Sequence, residues 1–154
     1  MKLITKDIQA SHPERYASLA LGVSYPDRQR QRCDLVIGEP AEWAVEVKLL
    51  RLLGDNGKLN DNMLMHVLSP YPAHRSALTD VTKLRSSSFA CHLGILIYGF
   101  DYEDWPMEPA IQAFEALAHE HAALLDRVVV HFDSLAHPVH KRGSVYTWEI
   151  AERA

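Results

Sequence analysis

The chain has 154 residues, of which 47% are hydrophobic and 23% charged, with a formal charge of −4. This is the size of one ordinary domain, long enough to bury a core without disulfides or a structural metal. The balance excludes a disordered chain and a protein that coats nucleic acid through bulk positive charge, while a local basic groove stays open.

Residues 12–21, HPERYASLAL, are expected to form a helix, with Ser11 as its cap, Pro13 in its first turn and Gly22 at its end. Strand signals run through 23–37 and are broken at Tyr25-Pro26-Asp27. Residues 32–38 and 42–50 read as two strands around the turn Gly38-Glu39-Pro40-Ala41. Residues 54–77 are rich in Gly, Asn and Pro around one apolar patch, Met63 to Leu68. They predict a long loop of the kind that carries function. Residues 78–87 read as a helix with the stripe Leu78, Val81, Leu84 and Arg85. HLGILIYGF, 92–100, is a continuous apolar run, expected to be a strand covered on both faces. A helix is predicted over 107–124, with Ile111, Phe114, Leu117, His121 and Leu124 on one face. Two final strands follow at 127–132 and 144–150. The order predicts a single α/β domain over residues 1–154, with a mixed sheet and a long loop at about 54–77.

Strand side chains alternate between faces. Arg30, Arg32, Asp34 and Val36 therefore share one face of the first hairpin strand. Ala44, Glu46 and Lys48 share one face of the second. A short turn makes the strands antiparallel neighbours, so Asp34 and Glu46 are expected side by side. Adjacent carboxylates repel unless a positive group lies between them. A divalent cation with oxygen ligands meets that need, and Mg²⁺ binds through one or two carboxylates plus water and phosphate. Lys48 points to the same place, suited to holding or deprotonating a water or to stabilising charge on phosphorus. The chemistry assembled is metal-assisted phosphodiester hydrolysis.

Asp34, eleven intervening residues and then Glu46-Val47-Lys48, on a hairpin after an N-terminal helix, resembles the PD-(D/E)xK nuclease superfamily, the restriction-endonuclease-like enzymes. The resemblance implies an αβββαβ core with a mixed central sheet flanked by helices, covering residues 12 to about 100 or 132. It implies Asp34 and Glu46 as metal carboxylates for Mg²⁺ or Mn²⁺, the Val47 carbonyl as a further ligand, and Lys48 as the catalytic lysine. It also implies a Glu from the first helix, where Glu14 stands, and a following helix from which Lys83 reaches a phosphate or the site carboxylates. Cys33 stands before Asp34 where the family has proline. The implied function is a Mg²⁺-dependent deoxyribonuclease in restriction, repair or defence, working on DNA as a homodimer or in a larger complex.

Other readings stand beside these. The three hairpin charges also suit a cross-strand salt-bridge cluster on a solvated face. Glu14 suits a first helical turn through the helix dipole, and Lys83 suits a solvated helix face. Arg28, Arg30 and Arg32 suit phosphate contacts or a charged edge that blocks aggregation. His66, His74 and Arg75 lie in the long loop, placed to close over substrate. None of the nine histidines, His137 and His140 included, has zinc spacing. Cys33 and Cys91 are expected as reduced core thiols. No stretch is apolar enough for a signal peptide or a spanning helix, which predicts a cytoplasmic chain that avoids the membrane. The competing functions are a non-catalytic module of the same fold, binding nucleic acid or a partner, and a hydrolase of a phosphorylated small molecule.

Overall fold

The structure, a computed structural model, describes residues 6 and 9–151. Its centre is a six-stranded mixed sheet in the order β1-β2-β3-β4-β6-β5. The strands are β1 (Leu19–Tyr25), β2 (Arg28–Ile37), β3 (Trp43–Leu50), β4 (His92–Phe100), β5 (Val128–Phe132) and β6 (Gly143–Ile150). Helices among the described residues include α1 (Pro13–Tyr16), α2 (Met65–Leu68), α3 (Ala77–Arg85) and α4 (Glu108–Ala118), with a 3₁₀ turn at Pro72–His74. No helix among the described residues is long and apolar enough to cross a membrane.

β1, β2 and β3 form an antiparallel meander. The β2–β3 turn relies on Gly38, whose φ of +95° only glycine adopts freely, and the Glu42 N–H closes it onto the Ile37 carbonyl at 2.8 Å. β4 then pairs with β3 in parallel. A parallel neighbour needs a crossover. Residues 51–91 supply it and carry α2 and α3 onto one face of the sheet. Ser76 caps α3 by accepting the Thr79 N–H at 3.1 Å. Leu78, Val81 and Leu84 of α3 are buried, as are Ile111 and Phe114 of α4, Ile95 and Ile97 of β4, and Tyr146 and Trp148 of β6. Phe114 meets Trp148 with ring centroids 5.1 Å apart, and the Trp148 indole N–H donates to Glu115.

Four expectations are corrected. The helix predicted over 12–21 is only the four residues of α1; its N-cap is His12, with no side-chain cap bond, not Ser11. The segment after it is strand β1, because Leu19, Leu21 and Val23 pair with Ile37, Leu35 and Cys33. That pairing overrides the helix propensity of Leu and Ala. Gly22 therefore lies inside a strand, at φ +63°, rather than ending a helix. α4 stops at Ala118, short of 124, because the chain must turn there to bridge Leu124 to Ile150 and bond the Leu125 N–H to Glu149. β4 is buried on its helix face, whereas Leu96, Tyr98 and Phe100 on the other face are half-buried.

At one end of the sheet β3, β4 and β6 approach closely through Gly99 and Gly143. A Cβ on Gly99 would run into the Leu50 carbonyl, and one on Gly143 into the Gly99 carbonyl. Gly99→Ala is expected to lower stability by about 1–3 kcal/mol or more, read as a lower urea midpoint at unchanged slope.

Candidate functional site

The β2–β3 ladder runs Ile37↔Trp43, Val36↔Ala44 and Leu35↔Val45, and stops one position short of Asp34 and Glu46. The Asp34 carboxylate takes over where the ladder ends, accepting the Val47 N–H on Oδ2 at 2.9 Å. The N–H and C=O of one strand residue face the same edge. The Val47 carbonyl therefore points toward Asp34 as well. Cys33 sits under this seam, its thiol 3.4 Å from the carbonyls of Leu35 and Val45. Burial, and the Glu46 charge after it, push that thiol up to about 12.

Glu46 and Asp80 are each only 2% exposed. Buried carboxylates demand partners, and here two lysines supply them in a chain of alternating charge. Glu46 Oε1 lies 2.7 Å from Lys83 Nζ and accepts the Tyr25 hydroxyl at 2.6 Å. Lys83 Nζ also lies 2.8 Å from Asp80 Oδ1, and Lys48 Nζ lies 2.6 Å from Asp80 Oδ2. Lys48 is the partner of the buried Asp80 Oδ2, which has no other hydrogen bond.

These surroundings set the proton affinities. Burial and the neighbouring Asp80 push the Glu46 carboxyl up to about 7, against the pull of its Lys83 and Tyr25 hydrogen bonds. Burial alone would lower the Lys83 ammonium, but its bonds to Asp80 and Glu46 outweigh that and raise it. Burial first, then the Glu46 charge, pushes the Tyr25 phenol up.

Above this cluster is a cleft of about 640 Å³. Asp34, Glu46, Lys48 and Lys83 line it with Arg30 and Arg32, so the structure brings six of the residues singled out in the sequence to one place. Arg28 and Arg75 join them. Arg28 is anchored to Ser86, and Arg32 donates to the Gly22 carbonyl at 2.7 Å. Arg75 comes from the long loop in a left-handed conformation, φ +48°, uncommon for a residue with a side chain. The cleft thus presents six basic side chains and three acidic ones, on a chain whose formal charge is −4.

Two expected members stand elsewhere. Glu14 is exposed on α1 and does not line the cleft. His74 does not line the cleft; its Nδ1 is 2.6 Å from the Ser69 hydroxyl of the same loop. Asp80 is the residue the sequence reading missed. Its signal is position: it lies on the buried stripe of α3 among Ala77, Val81 and Leu84, where a carboxylate needs a reason.

A second cluster lies away from the cleft. Asp55, His137 and His140 hold their ligand atoms within 4.8 Å of one another. His140 is buried and stacks on Phe100 and His137. Its Nε2 lies 2.9 Å from Asp55 and its Nδ1 lies 2.7 Å from the Tyr102 hydroxyl. A metal fits the set poorly. His137 Nδ1 already accepts the N–H groups of Val139 and His140, so the neutral ring carries its proton on Nε2 and has no lone pair to give there. Asp55 is also bound to Arg51 at 3.0 Å. His140 and Arg51 hold the Asp55 carboxyl below its usual range, and the set acts as a clasp between the long loop and the segment before β6.

For Mg²⁺ the donors at the cleft fit better in kind: hard oxygens from Asp34, Glu46 and the Val47 carbonyl, beside Asp80, whose Oδ2 meets Lys48 at 2.6 Å. The carboxylates of Asp34, Glu46 and Asp80 do not all converge within 4.8 Å, and Lys83 stands between Glu46 and Asp80.

The raised Glu46 pKa carries a sign. The folded chain keeps a proton on Glu46 up to about pH 7, which the unfolded chain releases near 4.5. The stabilisation is complete below 4.5 and is lost as pH rises to about 7. In chelator, the urea midpoint of the wild type should fall across that window more steeply than that of Glu46→Gln; parallel curves would refute the assignment. Comparison with family models, with curated proteins and with solved structures finds no match to this chain.

Proposed function

We propose that the protein is a metal-dependent nuclease that hydrolyses phosphodiester bonds in DNA. The observation that carries this reading is the cleft itself: six basic residues around three carboxylates, two of them buried, on a chain of net negative charge. A basic cleft on an acidic surface suits a polyanion held locally rather than coated. The element order supports a restriction-endonuclease-like core, since a helix, three antiparallel strands, a helix and a strand parallel to the third follow in turn.

In this reading Asp34, Glu46 and the Val47 carbonyl hold Mg²⁺ or Mn²⁺. When bound there, such an ion would supply a lowered pKa for a water and a positive charge opposite the phosphoryl oxygens. Lys48, at the mouth of the ion chain, orients the attacking water or stabilises the developing oxyanion. Asp80 positions Lys48 and Lys83 by holding one on each oxygen. Arg30 and Arg32 grip the flanking phosphates, setting register without reading sequence. Glu14, exposed and outside the cleft, has no part in this chemistry.

One observation favours a second reading. Lys83 and Lys48 already neutralise Glu46 and Asp80, so the cluster is satisfied without a cation, as in a non-catalytic binding module of the same fold.

Cleavage separates the two. Supercoiled plasmid, linear duplex, single-stranded DNA and RNA would be incubated with Mg²⁺ or Mn²⁺, beside EDTA controls. DNA should be cut, and Asp34→Ala and Lys48→Ala should each lose roughly 10²-fold or more in rate. A wild type that binds DNA but cuts nothing would leave the binding module. In either case Arg30→Ala or Arg32→Ala should weaken DNA binding and lower the slope of log affinity against log salt by about 1 each. Slopes unchanged in both variants would remove the arginines from the interface.

A further inference from the structure

β5 is an edge strand, paired with β6 and with nothing else among the described residues. Edges usually carry a proline, a lysine, a bulge or an inward charge that discourages further pairing. β5, Val-Val-Val-His-Phe, has none of these, and its register with β6 runs unbroken from Val128↔Thr147 to Phe132↔Gly143. The opposite edge is different. β1 is interrupted by Gly22 at φ +63° and by a register shift at Ser24/Tyr25, and Gln9 donates to the Leu19 carbonyl.

β5 is also unusually apolar for its exposure. Val128 and Val130 are each 59% exposed on the face away from the helices, and Leu125 and Leu135 are exposed at either end. The sequence around the strand is self-complementary. Laid antiparallel on a second copy about Val130, Val128 meets Phe132, Val129 meets His131, and Arg127 meets Asp133. Val128, Val130 and Phe132 then form one apolar stripe on the open face. Arg127 and Asp133 fall opposite each other on the helix face, as cross-strand pairs of opposite charge. Arg127 uses Nη1 on Glu108 at 2.8 Å, which leaves its other nitrogens for the partner's carboxylate. A slip of one residue would turn the valines to the wrong face and set Arg127 out of line with Asp133.

We propose that the chain forms a homodimer by antiparallel pairing of β5 with β5 of a second copy, joining two six-stranded sheets into one of twelve. The twofold axis is normal to the sheet at Val130, so both helix layers lie on the same side and both clefts, at β2 and β3, stay open. The proposal does not depend on what the clefts do.

Sedimentation of the full chain over a range of concentrations tests it. The expected mass is twice the 17.4 kDa of the chain. Val130→Lys, which sets two like charges face to face at the axis, should raise the dimer Kd at least about tenfold with an unchanged circular dichroism spectrum. Val130→Cys should cross-link between copies under mild oxidant, because paired Cβ atoms at the axis lie about 4.5–5.5 Å apart. A wild type that stays monomeric throughout would overturn the proposal. So would a dimer that Val130→Lys leaves intact and Val130→Cys does not cross-link, since it would use another face.

Discussion

Burying Glu46 is the constraint from which the rest of this region follows. A carboxyl in the middle of a sheet face, 2% exposed, carries its charge only with a cation within reach. Lys48 of the same strand is taken up by Asp80 at 2.6 Å. Lys83 supplies the cation, from α3, and Lys83 in turn needs Asp80, whose far oxygen then holds Lys48. The ion chain therefore fixes α3 against β3 in position and rotation, more sharply than its apolar stripe would alone. An all-apolar core of the same volume would be as stable or more so. Two carboxylates and two lysines gathered under an open cleft are also the kind of cluster that functional sites use to perturb proton affinities.

The topology makes room for that cleft. Antiparallel β2 and β3 share a ladder only as far as Leu35 and Val45, and β4 takes the other edge of β3 in parallel. The parallel pair requires a long crossover, and the crossover brings α3 and the loop residues Pro70, Pro72 and Arg75 over the point where the ladder stops. Had β4 been antiparallel, a two-residue turn would have sufficed and the cleft would have lacked its roof. The Asp55–His140 contact ties the start of the same crossover to the chain before β6.

Most strands were legible because their signals are local and redundant. β2, β3, β4, β5 and β6 each combine β-branched or aromatic runs with turn residues. The alternation in β2 and β3 put Asp34, Glu46 and Lys48 on the helix face. β1 was hidden because Ala and Leu favour a helix locally, and only pairing with β2, ten or more residues away, makes Leu19 to Val23 extended. Asp80 was hidden for a related reason. A lone Asp on an apolar stripe looks like an error in the pattern until its partners, Lys48 and Lys83, arrive from outside the stripe. Asp55, His137 and His140 are more than 80 residues apart in part, and spacing rules for metal sites cannot see such a meeting. The expectation for Glu14 came from family resemblance alone, and nothing local in PERY directs that side chain anywhere but to solvent.

Cys33 gives this region a clock of its own. Its thiol is fully covered, lies against the backbone carbonyls where β2 leaves β3, and is held far from its reactive thiolate form. A thiol reagent meets it only in molecules where that seam has parted. Its modification therefore measures the opening of one junction, the one that carries Asp34, independently of the unfolding of the whole sheet. Cys91, half-buried at the far end of β3 and β4, supplies the contrasting rate from a place the seam does not guard.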